Sequence, residues 1–320
     1  GRFAFGFQST LPAVFASTSF AVSVVAHNNG ARCAIVAITL TLGRHSEFEP
    51  TLTVIVCTYN RADLLTKCLD SIAAQTLDSD LFELIVVDNN STDKTPQVAD
   101  EYEPKFRHFR YVFENNQGLS HARNRGIEEA HSEYLVYLDD DALAPPEFLT
   151  NLGNVIKSCR PDFVGGPVYP YYIDHKPAWF RDSYEIKKYE NESRFSQTCR
   201  VSGGNYTVKA DVFQRVGTFN VEMGMIGNQM GLGEDAALLD KYRLITPPSA
   251  QKVYYSLDCW VTHYVPKEKM KLGYYLKRKY LSGKTQVRIA GLHNATYLDI
   301  LLTAPKGLLS ASLQLASQLK

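Results

Sequence analysis

Three apolar segments that each end in polar residues constrain the fold of this chain most strongly. Residues 52–58, 84–87 and 134–138 are rich in β-branched and aromatic residues, as buried strands are. Segments with apolar residues at helical spacing separate them, and this alternation predicts an α/β fold with a doubly wound, mostly parallel sheet. Ligands bind such sheets beyond the carboxyl ends of the strands. The polar residues after the three strands should therefore meet at one edge and form a site.

Asp139, Asp140 and Asp141 follow the third of these strands directly. Carboxylates this close together at the mouth of a strand repel one another unless a cation lies between them. A hard ion such as Mg²⁺ or Mn²⁺ takes one or two carboxylates and completes its shell with water and substrate phosphates. The three residues therefore indicate a metal that holds a phosphate ester. The alternative is a solvated loop, or an acidic cap for the helix that begins near Pro146.

The composition and the absence of common motifs argue against several other classes of protein. Lys+Arg and Asp+Glu both number 34, so the basic excess of a nucleic-acid-binding protein is missing. The six cysteines include no Cys-x-x-Cys pair, which argues against a zinc site or a disulfide framework and favours a reducing cytoplasm. No Gly-x-Gly-x-x-Gly or P-loop motif follows any of the three strands, so a dinucleotide or P-loop site is not expected.

Four features farther along the chain add to this picture. The paired glycines of residues 203–205 allow the backbone to approach a ligand closely. Residues 208–216 have the pattern of a short helix. Glu234 and Asp235 begin a helix after a glycine-rich loop, where an acidic pair either caps the helix or supplies a general base. His263 ends a strand-like segment, and a lone histidine is more often structural than a ligand.

The two ends of the chain differ from its middle. Residues 1–49 contain long uncharged runs, but the apolar stretch 11–26 is shorter than the ~20 residues of a membrane-spanning helix. We interpret this region as a poorly ordered extension, with a signal peptide as the alternative. Residues 292–320 have the spacing of amphipathic helices. Residues 267–288 interleave basic with apolar and aromatic residues, which is typical of a solvated face, a contact with anionic headgroups or a pyrophosphate site.

Six motifs, in this order, resemble those of family 2 glycosyltransferases with a GT-A-type fold. They lie at residues 56–61, 86–93, 122–126, 138–141, 203–205 and 233–235. The resemblance covers about residues 51–291 and implies one glycosyltransferase domain over residues 50–291. In such a domain helices flank the sheet, and a Rossmann-like half that binds the nucleotide sugar, residues 50–166, precedes an acceptor-binding half, residues 167–291.

The resemblance also implies an activity. A family 2 enzyme moves a sugar from a nucleotide-diphosphate sugar to an acceptor hydroxyl with inversion, and here Mg²⁺ or Mn²⁺ would assist. The Gln-x-x-Arg-Trp motif of processive synthases is absent after His263, which favours transfer of a single sugar. The expected acceptor is a carbohydrate or glycolipid of cell-surface or extracellular polysaccharide biosynthesis. The expected location is the cytoplasm, with at most peripheral contact at the inner face of the membrane, and no nucleic-acid partner is expected.

The resemblance assigns roles residue by residue. Asp235 would be the catalytic base with Glu234 beside it, and the metal ligands would be Asp139, Asp141 and His263. The expected donor-binding residues are Thr58, Tyr59, Asn60, Arg61, Asp88, Asn90, Arg123, Asp139 and Asp140. The expected acceptor contacts are Gly204, Asn205 and Trp179, the last from an aromatic-rich segment that either packs locally or stacks on sugar rings. The run 88–91 departs from the family pattern, in which another acidic residue and a glycine are frequent.

Two other functions fit part of the pattern. A nucleotidyltransferase shares the sheet and the metal-bound nucleotide, but it normally has a glycine-rich phosphate loop after the first strand, where this chain offers only Arg61. The second is a non-catalytic module that binds sugars or glycolipids with a decayed active site. This chain retains Asp139, Asp141 and Asp235, which argues against such decay.

Overall fold

The structure, a computed structural model, describes residues 52–289 together with residues 22–24 and 36–38. The chain divides into two compact units, residues 1–47 and residues 48–320. In the first unit, β1 (Val22–Val24) and β2 (Val36–Ile38) pair in an antiparallel arrangement.

Two sequence predictions concern parts of the chain that are largely undescribed. The extension predicted over residues 1–49 lies outside the described residues apart from β1 and β2, and the helical tail predicted over residues 292–320 lies wholly outside them. Within the described part of the chain, every helix is too short or too polar to cross a bilayer.

Eight strands form the main sheet of the second unit, in the order β10-β12-β8-β11-β6-β3-β4-β5. They are β3 (Leu52–Thr58), β4 (Phe82–Asp88), β5 (Phe109–Phe113), β6 (Tyr134–Asp139), β8 (Phe163–Gly165), β10 (Arg194–Phe195), β11 (Asn205–Lys209) and β12 (Val253–Tyr255). The strands β6, β3, β4 and β5 are parallel, whereas β11 runs antiparallel to both of its neighbours. The predicted α/β fold with a large, mostly parallel sheet is confirmed.

A smaller sheet and seven α-helices, with four short 3-10 helices, complete the described part of the second unit. The order β7-β13-β9 defines the second sheet, formed by β7 (Ala142–Leu143), β9 (Val168–Tyr171) and β13 (Val261–Tyr264). The helices are α1 (Ala62–Ala73), α2 (Thr95–Tyr102), α3 (Leu119–Glu129), α4 (Phe148–Cys159), α5 (Ala210–Val216), α6 (Glu234–Ile245) and α7 (Leu272–Ile289). The helix predicted over residues 208–216 begins later than expected, because Val208 and Lys209 extend β11.

Helices cover both faces of the main sheet, as alternate side chains of its strands require. Val54 and Val56 on β3 pack with residues of α1, α2 and α4, whereas Ile55 packs on the opposite face with residues of α3, α5 and α6. Successive side chains of a strand point to opposite faces, and strands buried on both faces are apolar throughout. This explains why β3 and β4 consist of almost continuous apolar residues.

The strand register determines which residues meet at the carboxyl edge of the main sheet. Thr58 on β3 pairs with Asp88 on β4, and Cys57 pairs with Asp139 on β6. Asn205 pairs with Leu138, so the antiparallel strand β11 begins where β6 ends. The predicted edge therefore brings together the ends of three parallel strands and the start of β11.

The close approach of two chain segments at Gly166 yields a prediction on stability. A Cβ atom at Gly166 would lie 1.8 Å from the Cys259 carbonyl oxygen, whereas a Cβ at Gly153 in α4 meets no atom within 4 Å. We expect Gly166→Ala to lower the free energy of unfolding by about 1–3 kcal/mol because the backbones must separate. Gly153→Ala should instead raise it by about 0.5–1 kcal/mol through helix propensity. Urea unfolding of both variants measures this, and equal stabilities would contradict the packing argument.

Candidate active site

A cavity of about 350 Å³ opens at the carboxyl edge of the main sheet. Its wall combines the turn after β3, the end of β6, the start of β11, the loop before α6 and residues from β13 to α7. Eleven residues predicted for the site line it: Thr58, Tyr59, Arg61, Arg123, Asp139, Asp140, Asp141, Gly204, Glu234, Asp235 and His263. Residues that are far apart in the sequence thus surround one ligand-sized space.

Two aspartates and a histidine converge at one end of this cavity. The ligand atoms of Asp139, Asp141 and His263 all lie within 4.8 Å of one another. The His263 Nε2 atom is 2.9 Å from Asp141 Oδ1 and 3.5 Å from Asp139 Oδ2. The His263 Nδ1–H group donates to the Tyr264 carbonyl oxygen at 3.0 Å, which orients Nε2 toward the carboxylates. We call these three residues the metal triad.

The electrostatics of the metal triad fit a divalent cation. Burial alone would lower the pKa of His263, but the Asp141 carboxylate holds that pKa above its ordinary value. Burial alone would raise the pKa of Asp141, but His263 lowers it below its usual range. The Oδ1 atom of Asp141 is buried and faces His263 Nε2 at 2.9 Å. Two carboxylates and an imidazole whose ligand atoms lie this close together form a donor set that suits Mg²⁺ or Mn²⁺.

Asp140 lies between the two predicted metal ligands in sequence but forms different contacts. Its Oδ2 atom accepts a hydrogen bond from Thr58 Oγ1 at 2.8 Å, and its Oδ1 atom accepts one from Arg61 NH1 at 3.0 Å. Burial, opposed by Arg61, raises the pKa of Asp140 to about 6. The Arg61 NH1 atom also lies 3.2 Å from Asp141 Oδ2. Asp140 therefore joins the turn after β3 to the end of β6.

Arg123 connects the metal triad to the acidic pair at the start of α6. Its guanidinium is buried, with NH1 2.5 Å from Glu234 Oε1 and NH2 3.4 Å from Asp139 Oδ1. NH2 also donates to the Gly203 carbonyl oxygen at 3.2 Å. Burial raises the pKa of Glu234, and Arg123 opposes this shift. Glu234 is thus engaged in a buried ion pair.

Asp235, the neighbour of Glu234, has a different environment. Its Oδ2 atom accepts a hydrogen bond from the Gly203 backbone N–H at 2.7 Å, and its Oδ1 atom accepts one from the Ala236 N–H at 2.8 Å. No ion pair to Asp235 occurs among the described residues, and the side chain lines the cavity half-exposed. Each carboxylate oxygen has two lone pairs, so Asp235 retains the capacity to accept a further proton or hydrogen bond.

The glycine pair allows the backbone at the start of β11 to contact the acidic residues. A Cβ atom at Gly204 would lie 2.5 Å from Asp139 Oδ2, and one at Gly203 would lie 2.7 Å from Arg123 NH2. Both distances are shorter than real Cβ contacts, so a side chain at either position would displace its neighbour. The absence of side chains here keeps the space beside Asp139 open.

Five of the predicted site residues lie outside the cavity lining. Asp88 is fully buried and accepts hydrogen bonds from the Ser91 N–H at 2.8 Å and the Tyr111 hydroxyl at 2.6 Å. Asn60 adopts a positive φ of 52°, and its Oδ1 atom accepts from the Thr92 N–H at 2.7 Å. Asn90 adopts a φ of 66° in the adjacent turn. These three residues shape the turns behind the cavity.

The other two are Asn205 and Trp179. The Asn205 amide donates to the carbonyl oxygens of Pro167 at 3.2 Å and Cys259 at 2.7 Å, so it joins three segments. Trp179 packs in a local cluster with the rings of Phe180, Tyr184 and Tyr275. Both residues therefore make contacts within the protein that are typical of structural positions.

Several lining residues were not singled out from the sequence. They include Gln117, Lys187 and Met230. Lys269, Tyr274 and Arg278 also line the cavity, and they belong to the basic pattern of residues 267–288, for which the sequence indicated a solvated face, a headgroup contact or a pyrophosphate site. Lys187 and Gln117 gave no sequence signal, because isolated polar residues in loops have no periodicity.

The buried charges around Arg123 allow a prediction on stability. Arg123→Met would leave Glu234 buried without its partner, so we expect a loss of about 3–5 kcal/mol in the free energy of unfolding. The matched control is Arg125→Met on the same helix, because the half-buried pair of Arg125 with Glu129 remains in contact with solvent and contributes about 1 kcal/mol. The double variant Arg123→Met/Glu234→Met should recover much of the loss. Urea unfolding tests this, and similar losses for Arg123→Met and Arg125→Met would refute it.

Comparison with known proteins places this geometry in a family. The model of glycosyl transferase family 2 matches residues 53–217, about half of the chain. Glycosyltransferase AglE of Haloferax volcanii is 31% identical over 53% of this chain and 56% of its own length. Glycosyltransferase GlyA of Streptococcus pneumoniae is 28% identical over 59% of this chain and 28% of its own length. The matched part of the chain thus spans less than two thirds of these relatives.

Solved structures agree with the fold. TarS 1–349 of S. aureus in complex with UDP-GlcNAc superposes with a TM-score of 0.56 at 18% identity, over 81% of this chain and 71% of that one. The mannosyltransferase PcManGT of Pyrobaculum calidifontis, in complex with GDP-Man and Mn²⁺, gives a TM-score of 0.56 at 22% identity over 83% and 76%. The family match confirms what the six motifs indicated: the chain belongs to glycosyl transferase family 2 and has a GT-A-type fold.

Proposed function

We propose that this chain transfers a single sugar from a nucleotide-diphosphate sugar to an acceptor hydroxyl, with inversion and with Mg²⁺ or Mn²⁺. The observation that carries the proposal is one cavity that holds both the metal triad and Asp235. The structural neighbours support the donor class, since TarS was solved with UDP-GlcNAc and PcManGT with GDP-Man and Mn²⁺. A carbohydrate or glycolipid of polysaccharide biosynthesis is the acceptor class we infer.

Asp139, Asp141 and His263 are the residues that would hold the metal. A divalent cation at this position supplies positive charge that offsets the charge developing on the leaving diphosphate. The Nδ1–H bond of His263 to the Tyr264 carbonyl keeps Nε2 available to the ion. Arg61, beside Asp140 and Asp141, adds a further cation at the same wall.

Asp235 is the residue we assign as the general base. The backbone N–H groups of Gly203 and Ala236 donate hydrogen bonds to its two oxygens. These bonds fix the orientation of the carboxylate and leave its negative charge in place. Glu234 is unsuited to that role because its carboxylate pairs with buried Arg123. Asp235 would take the acceptor proton while the acceptor oxygen bonds to the anomeric carbon and the bond from that carbon to the diphosphate oxygen breaks on the opposite face, and one such displacement inverts the configuration at that carbon.

The proposal predicts separate effects for the two carboxylate sites. Asp141→Ala should abolish the Mn²⁺-dependent binding of the donor. Asp235→Asn should preserve donor binding and lower the transfer rate by about 10²–10⁴-fold, the usual contribution of a positioned base. Donor affinity is measured by titration calorimetry with a panel of nucleotide sugars, and transfer by the release of nucleotide diphosphate. Exposed Glu128→Gln on α3 is the matched control.

Two results would contradict these assignments. Equal donor affinity in the wild type and in Asp141→Ala would remove Asp141 from the metal site. An unchanged transfer rate in Asp235→Asn would remove Asp235 from the role of base. A wild-type protein that binds no nucleotide sugar with metal would favour a sugar-binding module, and release of pyrophosphate instead of nucleotide diphosphate would favour a nucleotidyltransferase.

We further propose that the protein acts in the cytoplasm at the inner face of the membrane, and that α7 contacts anionic lipid. On one side α7 contributes Tyr274 and Arg278 to the cavity. On another side it exposes 40% of Leu272, 46% of Leu276 and 46% of Tyr280, spaced four residues apart. Exposed lysines accompany this apolar stripe at positions 271, 277 and 284, and α7 contains no acidic residue. A basic helix with an exposed apolar stripe complements an anionic bilayer surface.

Vesicle sedimentation tests the membrane contact. We expect the full chain to bind vesicles of phosphatidylcholine and phosphatidylglycerol more tightly than phosphatidylcholine alone. Leu276→Ser/Tyr280→Ser should weaken that binding by about thirtyfold or more, since the two apolar side chains together contribute roughly 2 kcal/mol or more when buried. The control is Leu244→Ser, because Leu244 is 85% exposed on α6. Equal binding by the two variants, or no preference for anionic vesicles, would exclude the contact.

A further inference from the structure

The two ends of the main sheet differ in the backbone that they expose. At one end β10 consists of two residues, which is too short to serve as a template for another strand. At the other end β5 is five residues long and pairs only with β4 among the described strands. Edge strands of this length are usually protected by charged side chains or by proline. The single charged residue of β5, Arg110, is instead engaged by Glu83 and Glu129.

The hydrogen bonds between β4 and β5 show which backbone groups lie on the outer edge. The Leu84 N–H donates to the His108 carbonyl oxygen at 2.9 Å, so the even-numbered residues of β5 bond to β4. The other three residues direct their N–H and C=O groups away from the sheet: Phe109, Tyr111 and Phe113. None of these groups is hydrogen-bonded to another residue that the structure describes. The edge is accessible, since all five residues of β5 line a surface groove.

The side chains of the same three residues lie on the face of the sheet that α2 covers. Phe109 and Tyr111 pack, partly buried, against the core on that face, and Phe109 stacks on Phe106 with 5.9 Å between the ring centroids. Phe113 follows on the same face and is 49% exposed. The order Phe-x-Tyr-x-Phe is the same when it is read in either direction. An antiparallel second copy of this strand would therefore place an aromatic residue opposite each of these three.

We propose that two copies of this chain pair through β5, antiparallel about a two-fold axis at Tyr111. Tyr111 then lies opposite its own copy, and Phe109 lies opposite Phe113 of the second copy. The outward backbone groups of these residues meet in the phase of hydrogen-bonded pairs, so each of the three pairs forms two hydrogen bonds. Aromatic cross-strand pairs stabilise the same arrangement. The contact is isologous and closes as a dimer, and it is independent of the transfer reaction because no residue of β5 lines the catalytic cavity.

The charges of α2 favour this arrangement. α2 begins beyond the C-terminal end of β4 and returns to the N-terminal end of β5, so it runs antiparallel to both strands. The two-fold axis therefore places Glu103, just after α2 in one copy, at the level of Lys94, the N-cap of α2 in the other. Both side chains are exposed and form no ion pair with the described residues. Two such pairs form in a dimer, against one repulsion between the copies of Asp100 near the axis.

Sedimentation velocity of the full chain over a range of concentrations tests the pairing. We expect Phe113→Lys to raise the dissociation constant of the dimer at least about tenfold, because a lysine opposite Phe109 would be buried without a partner. The matched control is Phe195→Lys, since Phe195 is 47% exposed on β10 at the other end of the same sheet. This control should dimerise as the wild type does. Equal dissociation constants for the two variants would overturn the proposal.

Amide hydrogen exchange of the wild type, measured by NMR, provides a readout that does not depend on any variant. The amides of Phe109, Tyr111 and Phe113 should exchange more slowly in concentrated than in dilute protein. Those of Arg110 and Val112, which are bonded to β4 in both states, should not change. A protein that stays monomeric at every concentration overturns the proposal, as does a dimer in which the three outward amides are not protected. Protection that is independent of concentration would also overturn it, since another segment of the same chain would then occupy the edge.

Discussion

The burial of Arg123 between carboxylates of two segments is the interaction on which the site depends. Its guanidinium contacts Asp139 at the end of β6 and Glu234 at the start of α6, and it also binds the Gly203 carbonyl. A cavity that gathers this many carboxylates is unfavourable unless cations lie among them. Arg123 supplies one such charge permanently, whereas a bound metal would supply a second. The position of Asp235, next to Glu234, follows from the same contact.

Much of this architecture could be predicted from the sequence, because the signals were local and repeated. The apolar strands β3, β4 and β6 and the polar residues that follow them predicted the parallel sheet and the edge at which the site forms. The carboxyl ends of parallel strands lie at the same edge of a sheet. The positions of Thr58 and of the three aspartates at residues 139–141 could therefore be predicted without knowing the side-chain geometry. The antiparallel strand β11 was harder to predict, since α5 begins at Ala210 directly after β11 ends at Lys209, with no turn residue between them.

The predictions for individual side chains were weaker than those for segments, for a physical reason. Asp88 and Asn60 lie in the expected turns, yet their oxygens accept hydrogen bonds from the turns themselves. Asn and Asp stabilise turns by such bonds as readily as they bind ligands, and the sequence does not distinguish the two uses. Trp179 packs on neighbouring aromatic rings. Lys187 lines the cavity because of tertiary contacts, and no pattern in the sequence predicts that position.

The glycine pair beside Asp139 has a consequence for how such a site can diverge. At Gly203 and Gly204 the wall is bare backbone, and any side chain there would collide with Arg123 or Asp139. Mutation therefore has little freedom to alter this wall while the acidic cluster persists. The loop before α6 lines the cavity with Met225, Asn228 and Met230, whose side chains form no hydrogen bond or ion pair with the residues that the structure describes. Over evolution, a change of substrate should therefore be accompanied by substitutions in that loop. The two glycines should remain the same among chains that use different sugars.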